Sequence, residues 1–185
     1  MLAKLAFASD TRRMVFWLCA AILVAACASA SLVFACATPF AAFAVLAAAV
    51  LPLRSALVAI SLAWLVNQAI GFCVLDYPRD LNAGAWGLVI LAAALLTTAA
   101  AAGVFRRFAG ASLYALYPVA LMAAYAVYEI ALLALVPVLG GGDAFAPSIV
   151  GHLAFVNAIW LVAIVAAYEL LSRVNGVVSA ARRGA

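Results

Sequence analysis

Charge is scarce in this sequence. Ten Lys and Arg and six Asp and Glu make up 9% of its 185 residues, and there is one histidine. A soluble domain carries about 25% charged residues and is roughly half apolar; here the hydrophobic share is 72%. A water-soluble fold of this size cannot conceal so much apolar surface, since about 30% of the surface of a chain near 150 residues stays in water. Soluble enzymes, nucleic-acid binders and disordered proteins are therefore excluded. Cysteine is also sparse: Cys19, Cys27, Cys36 and Cys73, none spaced as CxxC. With a single histidine beside them they form no zinc constellation. No GxxxxGK[ST] loop is present, so the chain has no phosphate cradle of its own for ATP. No polar linker and no convincing internal repeat divides it. Residues 1–185 read as one transmembrane domain.

What the sequence does have is apolar runs. A helix crossing about 30 Å of hydrocarbon needs about 20 residues. Cutting at charges, prolines and glycines predicts six spans, over residues 14–35, 40–53, 55–75, 85–104, 113–139 and 147–171. The second is short and is expected to begin a few residues earlier. A β-barrel would need apolar and polar residues in alternation, and the run from Leu88 to Ala102 shows none. The expected fold is thus an all-α bundle of six membrane helices.

The net charge of +4 is distributed unevenly. Lys4, Arg12 and Arg13 precede the first span, Arg54 lies between the second and third, Arg106 and Arg107 between the fourth and fifth, and Arg173, Arg182 and Arg183 follow the sixth. Only Arg79 falls on the other side. The positive-inside rule then places both termini in the cytoplasm. Arg12-Arg13, an apolar stretch and Val24-Ala25-Ala26-Cys27 also resemble a bacterial lipoprotein signal. A lipoprotein continues as a polar chain, whereas this one continues as Ala28-Ser29-Ala30-Ser31-Leu32-Val33-Phe34, so the stretch reads as an uncleaved span.

Ionisable and amide groups inside spans are costly and mark candidate sites. Arg54, Arg106 and Arg107 snorkel at span ends. Glu169 and Arg173, spaced i, i+4, suit a surface ion pair. Glu129 lies within the fifth span between Tyr125 and Tyr128, either as a satisfied carboxyl joining helices or as one facing a ligand. His152, one turn into the sixth span, either bridges helices or joins a pocket. The densest polar cluster is Asn67-Gln68-Ala69-Ile70-Gly71-Phe72-Cys73-Val74-Leu75-Asp76-Tyr77-Pro78-Arg79-Asp80-Leu81-Asn82, ending near Trp86. Two adjacent amides in a dry environment each need partners. Gly71 permits close helix approach, and Tyr77 and Trp86 suit either an interfacial aromatic belt or a site. Cys19, Cys27 and Cys36 fit packing. Cys73 stands apart because it adjoins the amides near the outer surface.

Small size, six spans, inner termini and short outer loops resemble the substrate-binding S-components of energy-coupling-factor (ECF) transporters. The run Asn67-Gln68-Ala69-Ile70-Gly71-Phe72-Cys73, followed by Tyr77-Pro78 and Trp86-Gly87, resembles the BtuM family of vitamin B12 transporters, over residues 64–87. The resemblance implies a bacterial inner-membrane protein that binds cobalamin from outside and mediates its uptake. It implies Cys73 as ligand to the cobalt, and an energising partner such as a shared ECF module. By position, Asn67, Gln68, Asp76, Tyr77, Trp86, Tyr128, Glu129 and His152 are the other expected substrate contacts.

The chemistry accords with that expectation. A thiolate is a soft donor suited to Co(III), and a thiol in apolar surroundings stays protonated until a metal displaces its proton. Such a donor would labilise the ligand on cobalt's opposite face, so Cys73 is also the candidate catalytic residue for release of cyanide from cyanocobalamin. Two alternatives stand beside this reading: an S-component-like transporter for another vitamin or a metal ion, and a membrane enzyme using Cys73 in thiol chemistry. Membrane lipid is the surrounding partner in each case, and nucleic acid in none.

Overall fold

The computed structural model describes residues 2–34 and 38–183. Cys36 lies outside them. The chain folds into helices α1 (Leu2–Phe34), α2 (Phe40–Val50), α3 (Leu53–Cys73), α4 (Leu81–Arg107), α5 (Leu113–Leu133), a single turn α6 (Val136–Leu139), a 3-10 turn at Gly142–Phe145 and α7 (Pro147–Arg183). No strand occurs among the described residues. Five segments are long and apolar enough to cross a membrane: Thr11–Val33, Leu53–Cys73, Leu81–Arg107, Leu113–Leu139 and Pro147–Val174. These correspond to five of the six expected spans. The protein is a multi-pass helical membrane bundle.

The exception is α2. Its 11 residues reach about 16 Å at 1.5 Å per residue, roughly half of the hydrocarbon thickness. The helix begins at Phe40, after a non-helical Thr38–Pro39, rather than extending N-terminally through those two residues. Its sequence Phe-Ala-Ala-Phe-Ala-Val-Leu-Ala-Ala-Ala-Val is apolar on every side, the pattern of a helix enclosed by others. Every residue from Phe40 to Ala47 is buried. Helices α1, α3, α4, α5 and α7 all pack against α2, which forms the axis of the core. Phe43, fully buried, meets Phe40 and Trp160 edge-on, at centroid distances of 6.0 and 6.4 Å.

The other departure is in the fifth span. A single helix was expected over residues 113–139, but α5 ends at Leu133 and the chain turns before α6. Pro137 lacks an amide hydrogen, and its ring crowds the carbonyl four residues earlier, which belongs to Leu133.

With the short α2 counted, successive spans alternate in direction, so α1 and α3 run parallel. Ser31 of α1 meets Asn67 of α3, while Arg12 and Val15 lie near Leu51 and Ser55 at the opposite end. Trp64 reaches Gly87, Phe105 meets Tyr117 edge-on, and Tyr114 donates to Glu169 at 2.7 Å. Arg12, Arg54, Arg106, Arg107 and Arg173 consequently gather at one end of the bundle, and Arg79 at the other. The Glu169–Arg173 pair is present on the surface, at 3.7 Å.

Candidate functional site

The end of the bundle away from those arginines is where α2 falls short. Asn67 marks the level of its start, about two turns below the end of α3. Asn67 Nδ2 donates to Ser31 Oγ at 3.0 Å and to Thr38 Oγ1 at 2.8 Å, and its Oδ1 accepts from Gln68 Nε2 at 3.1 Å. One amide thus joins α1, the entry to α2, and α3. On the opposite side Asn157 of α7 accepts from the Ala42 amide at 3.1 Å and donates to Leu153 O at 2.9 Å. It satisfies one of the N-terminal amides that a buried helix start leaves open.

Above this floor lie two partly open cavities with a shared wall, the two lobes of the candidate site. The first lobe, about 310 Å³, lies between α3 and α4 and is lined by Thr38, Phe40, Asn67, Gln68, Phe72, Tyr77, Trp86, Gly87 and Tyr128, among others. The second, about 280 Å³, lies between α4, α5 and α7 and includes Thr38, Trp86, Tyr125, Tyr128, Glu129, Phe145 and Asn157. Thr38, Trp86, Ile90 and Tyr128 border both lobes. Small-molecule sites have this character: mostly apolar and aromatic walls with a few fixed polar groups.

Two glycines let the walls close. A Cβ on Gly71 would lie 2.6 Å from the Tyr77 ring, and one on Gly87 would lie 2.7 Å from Gln68 Oε1. The Tyr77 ring therefore packs directly on the α3 backbone, edge-on to Phe72 at 6.2 Å. The Gly87 carbonyl accepts from Trp64 Nε1 at 2.8 Å. The segment after α3 is folded back over the rim. Asp76 adopts φ 50°, a left-handed conformation that Asp tolerates better than most residues. Tyr77 N donates to Gly71 O at 3.0 Å, and Arg79 Nη2 donates to Phe72 O at 3.1 Å. Asp80 then caps α4 by accepting from Ala83 N at 2.7 Å.

Of the expected contacts, Asn67, Gln68, Tyr77, Trp86, Tyr128 and Glu129 come together in this cavity. Cys73, Asp76 and His152 do not: all three are exposed and line neither lobe. Trp64, Asn67, Gln68, Gly71 and Phe72 share one face of α3, whereas Cys73, nine positions past Trp64, falls about half a turn away at 3.6 residues per turn. Cys19 and Cys27 are buried packing residues, and Cys27 Sγ also donates to Ala63 O at 3.1 Å. Thr38, Tyr125, Phe145 and Asn157 are lining residues that the sequence reading did not select. Asn157 carried the signal that exposed Asn67, an amide within an apolar run. Among the described residues no three His, Cys, Asp or Glu side chains cluster as a metal site. Comparison with protein-family models, curated proteins and solved structures finds no match to this chain.

Proposed function

We propose that this protein captures a solute for uptake in the manner of an S-component. In this reading it sits in a bacterial inner membrane with both termini inside, its arginine-rich end at the cytoplasm and its cavity outward. The short α2 serves as the sixth crossing. The observation that carries the reading is the halt of α2 midway through the bundle, which leaves a two-lobed cavity lined by amides and aromatic rings. With no phosphate loop in the sequence, energy for release comes from a partner, such as a shared ECF module.

The solute we assign is cobalamin, on the strength of residues 64–87 and the lining of the first lobe. Gln68 offers an amide to the corrin rim, and Tyr77, Trp86 and Tyr128 offer aromatic surface to its faces. The ring is larger than either lobe, so it spans both at the rim. A bond from Cys73 to cobalt, and any cyanide release through it, requires the last turn of α3 to unwind and bring the thiol over that rim. A second reading, a smaller solute of the vitamin class, is favoured by the size of the lobes and by the placement of Cys73 away from them.

A visible-absorbance titration of the purified protein with aquacobalamin and cyanocobalamin separates these. The assignment predicts saturable binding with an altered cobalt band that disappears in Cys73→Ser. Binding with an unaltered band retains cobalamin and removes Cys73 as ligand. No binding of either form overturns cobalamin and leaves the smaller solute.

A further inference from the structure

Glu129 is the only acidic residue among the described residues that sits in a spanning segment away from its ends. It is half-buried in the second lobe among Trp86, Tyr125, Tyr128 and Phe145. Two of the lobe's other polar side chains are held by the backbone. The Tyr125 hydroxyl donates to Val150 O at 2.7 Å and also lies against the Glu129 carboxyl, and the Asn157 amide is held by Ala42 and Leu153. No basic side chain answers the carboxyl: the one ion pair among the described residues is Glu169–Arg173, and Arg79 is turned to Phe72 O. A carboxylate at this depth without a counter-charge is costly even with a tyrosine beside it. A carboxylate ringed by aromatic side chains is also what recognises an alkylated ammonium, by charge and by the ring quadrupole.

We infer that the second lobe binds a positively charged, alkylated nitrogen group of the solute, with Glu129 as counter-charge and Trp86 and Tyr128 as aromatic walls. This rests on the solute-capture reading and gives its second form a chemical class. The solute then spans the cavity with a hydrogen-bonding end at Gln68 in the first lobe and its cationic end at Glu129. The ligand neutralises the carboxyl on arrival, so neutral compounds of the same shape are discriminated against.

Tryptophan fluorescence provides the test, since Trp86 borders both lobes. Purified protein is titrated with choline and with 3,3-dimethylbutan-1-ol, its uncharged isostere. Choline is expected to bind about tenfold or more tightly than the alcohol. In Glu129→Gln that preference falls to about onefold while the alcohol binds as before, which also shows that the variant is folded; Glu129→Asp keeps part of the preference. Equal binding of the two probes by the wild type, a preference that survives in Glu129→Gln, or no response to choline overturns the inference. A cobalamin titration on the same sample separates the two claims. Cobalamin binding without a choline preference sinks the cationic lobe and leaves solute capture standing; a choline preference without cobalamin binding supports the lobe and removes cobalamin as the solute.

Discussion

Replacing Phe43 by Ala lowers the stability of the purified protein by about 3–5 kcal/mol, the usual range for deleting a fully buried phenylalanine ring. Phe43 is fully buried at the centre of the bundle, on the one helix that all five longer helices enclose. Its ring holds two edge-on aromatic contacts, to Phe40 and Trp160, each of which adds to the burial. Neighbouring small residues, such as Ala42 and Ala44, leave no long side chain to fill the gap. Phe40, the floor of the first lobe, loses its support in the same change. Leu96→Ala is the comparison, because Leu96 is 56% exposed on the outside of α4 and leaves no enclosed cavity. Thermal unfolding in detergent should show a large drop for Phe43→Ala and a small one for Leu96→Ala. Equal losses would mean that α2 is not the packed axis.

The second large effect is expected at Asn67. Replacing it by Leu keeps the branched shape and removes the donors that hold Ser31 and Thr38, together with the acceptor for Gln68. Interhelical hydrogen bonds in membrane bundles average about 0.6 kcal/mol and reach about 1.7. Losing this set should cost about 1–3 kcal/mol, moderated because Ser31 and Thr38 lie 3.4 Å apart and can bond each other. The cost also appears in binding, since Gln68 is no longer fixed against the first lobe. Asn82→Leu, at an exposed amide beside the α4 cap, should stay within about 0.5 kcal/mol of the wild type. A stability for Asn67→Leu as close to wild type as that would show that the amide holds no helices together.

The sequence made the membrane class, five long spans and the segregation of arginines legible, because each depends on local composition or on position along the chain. The central place of α2 was less accessible. Its even apolar pattern signals enclosure, but no local feature says that Asn157, far along the chain, meets its first turn. The break after Leu133 was present in Pro137 and was passed over because the surrounding hydropathy is continuous. For the site, Asn67, Gln68, Tyr77 and Trp86 were found together because they fall within one short stretch. Glu129 and Tyr128 were found by being polar or aromatic in a span, and their meeting with Trp86 is a tertiary fact. Cys73 was singled out by proximity in sequence, whereas helical phase turns it from the face that Asn67 and Gln68 share. Thr38 was missed because a lone threonine before an apolar helix carries no signal until the half-length of α2 turns it into a floor.

The account depends on a cavity above α2 that opens to the outside of the cell. Ile90 borders both lobes, so Ile90→Cys, in a chain whose Cys36 and Cys73 are Ser, places one reactive thiol in that cavity while Cys19 and Cys27 remain buried. Intact cells and inside-out vesicles are treated with a membrane-impermeant maleimide. The account predicts labelling of position 90 from the outer face and none from the cytoplasmic face; labelling from the cytoplasmic face, or from neither, would contradict it.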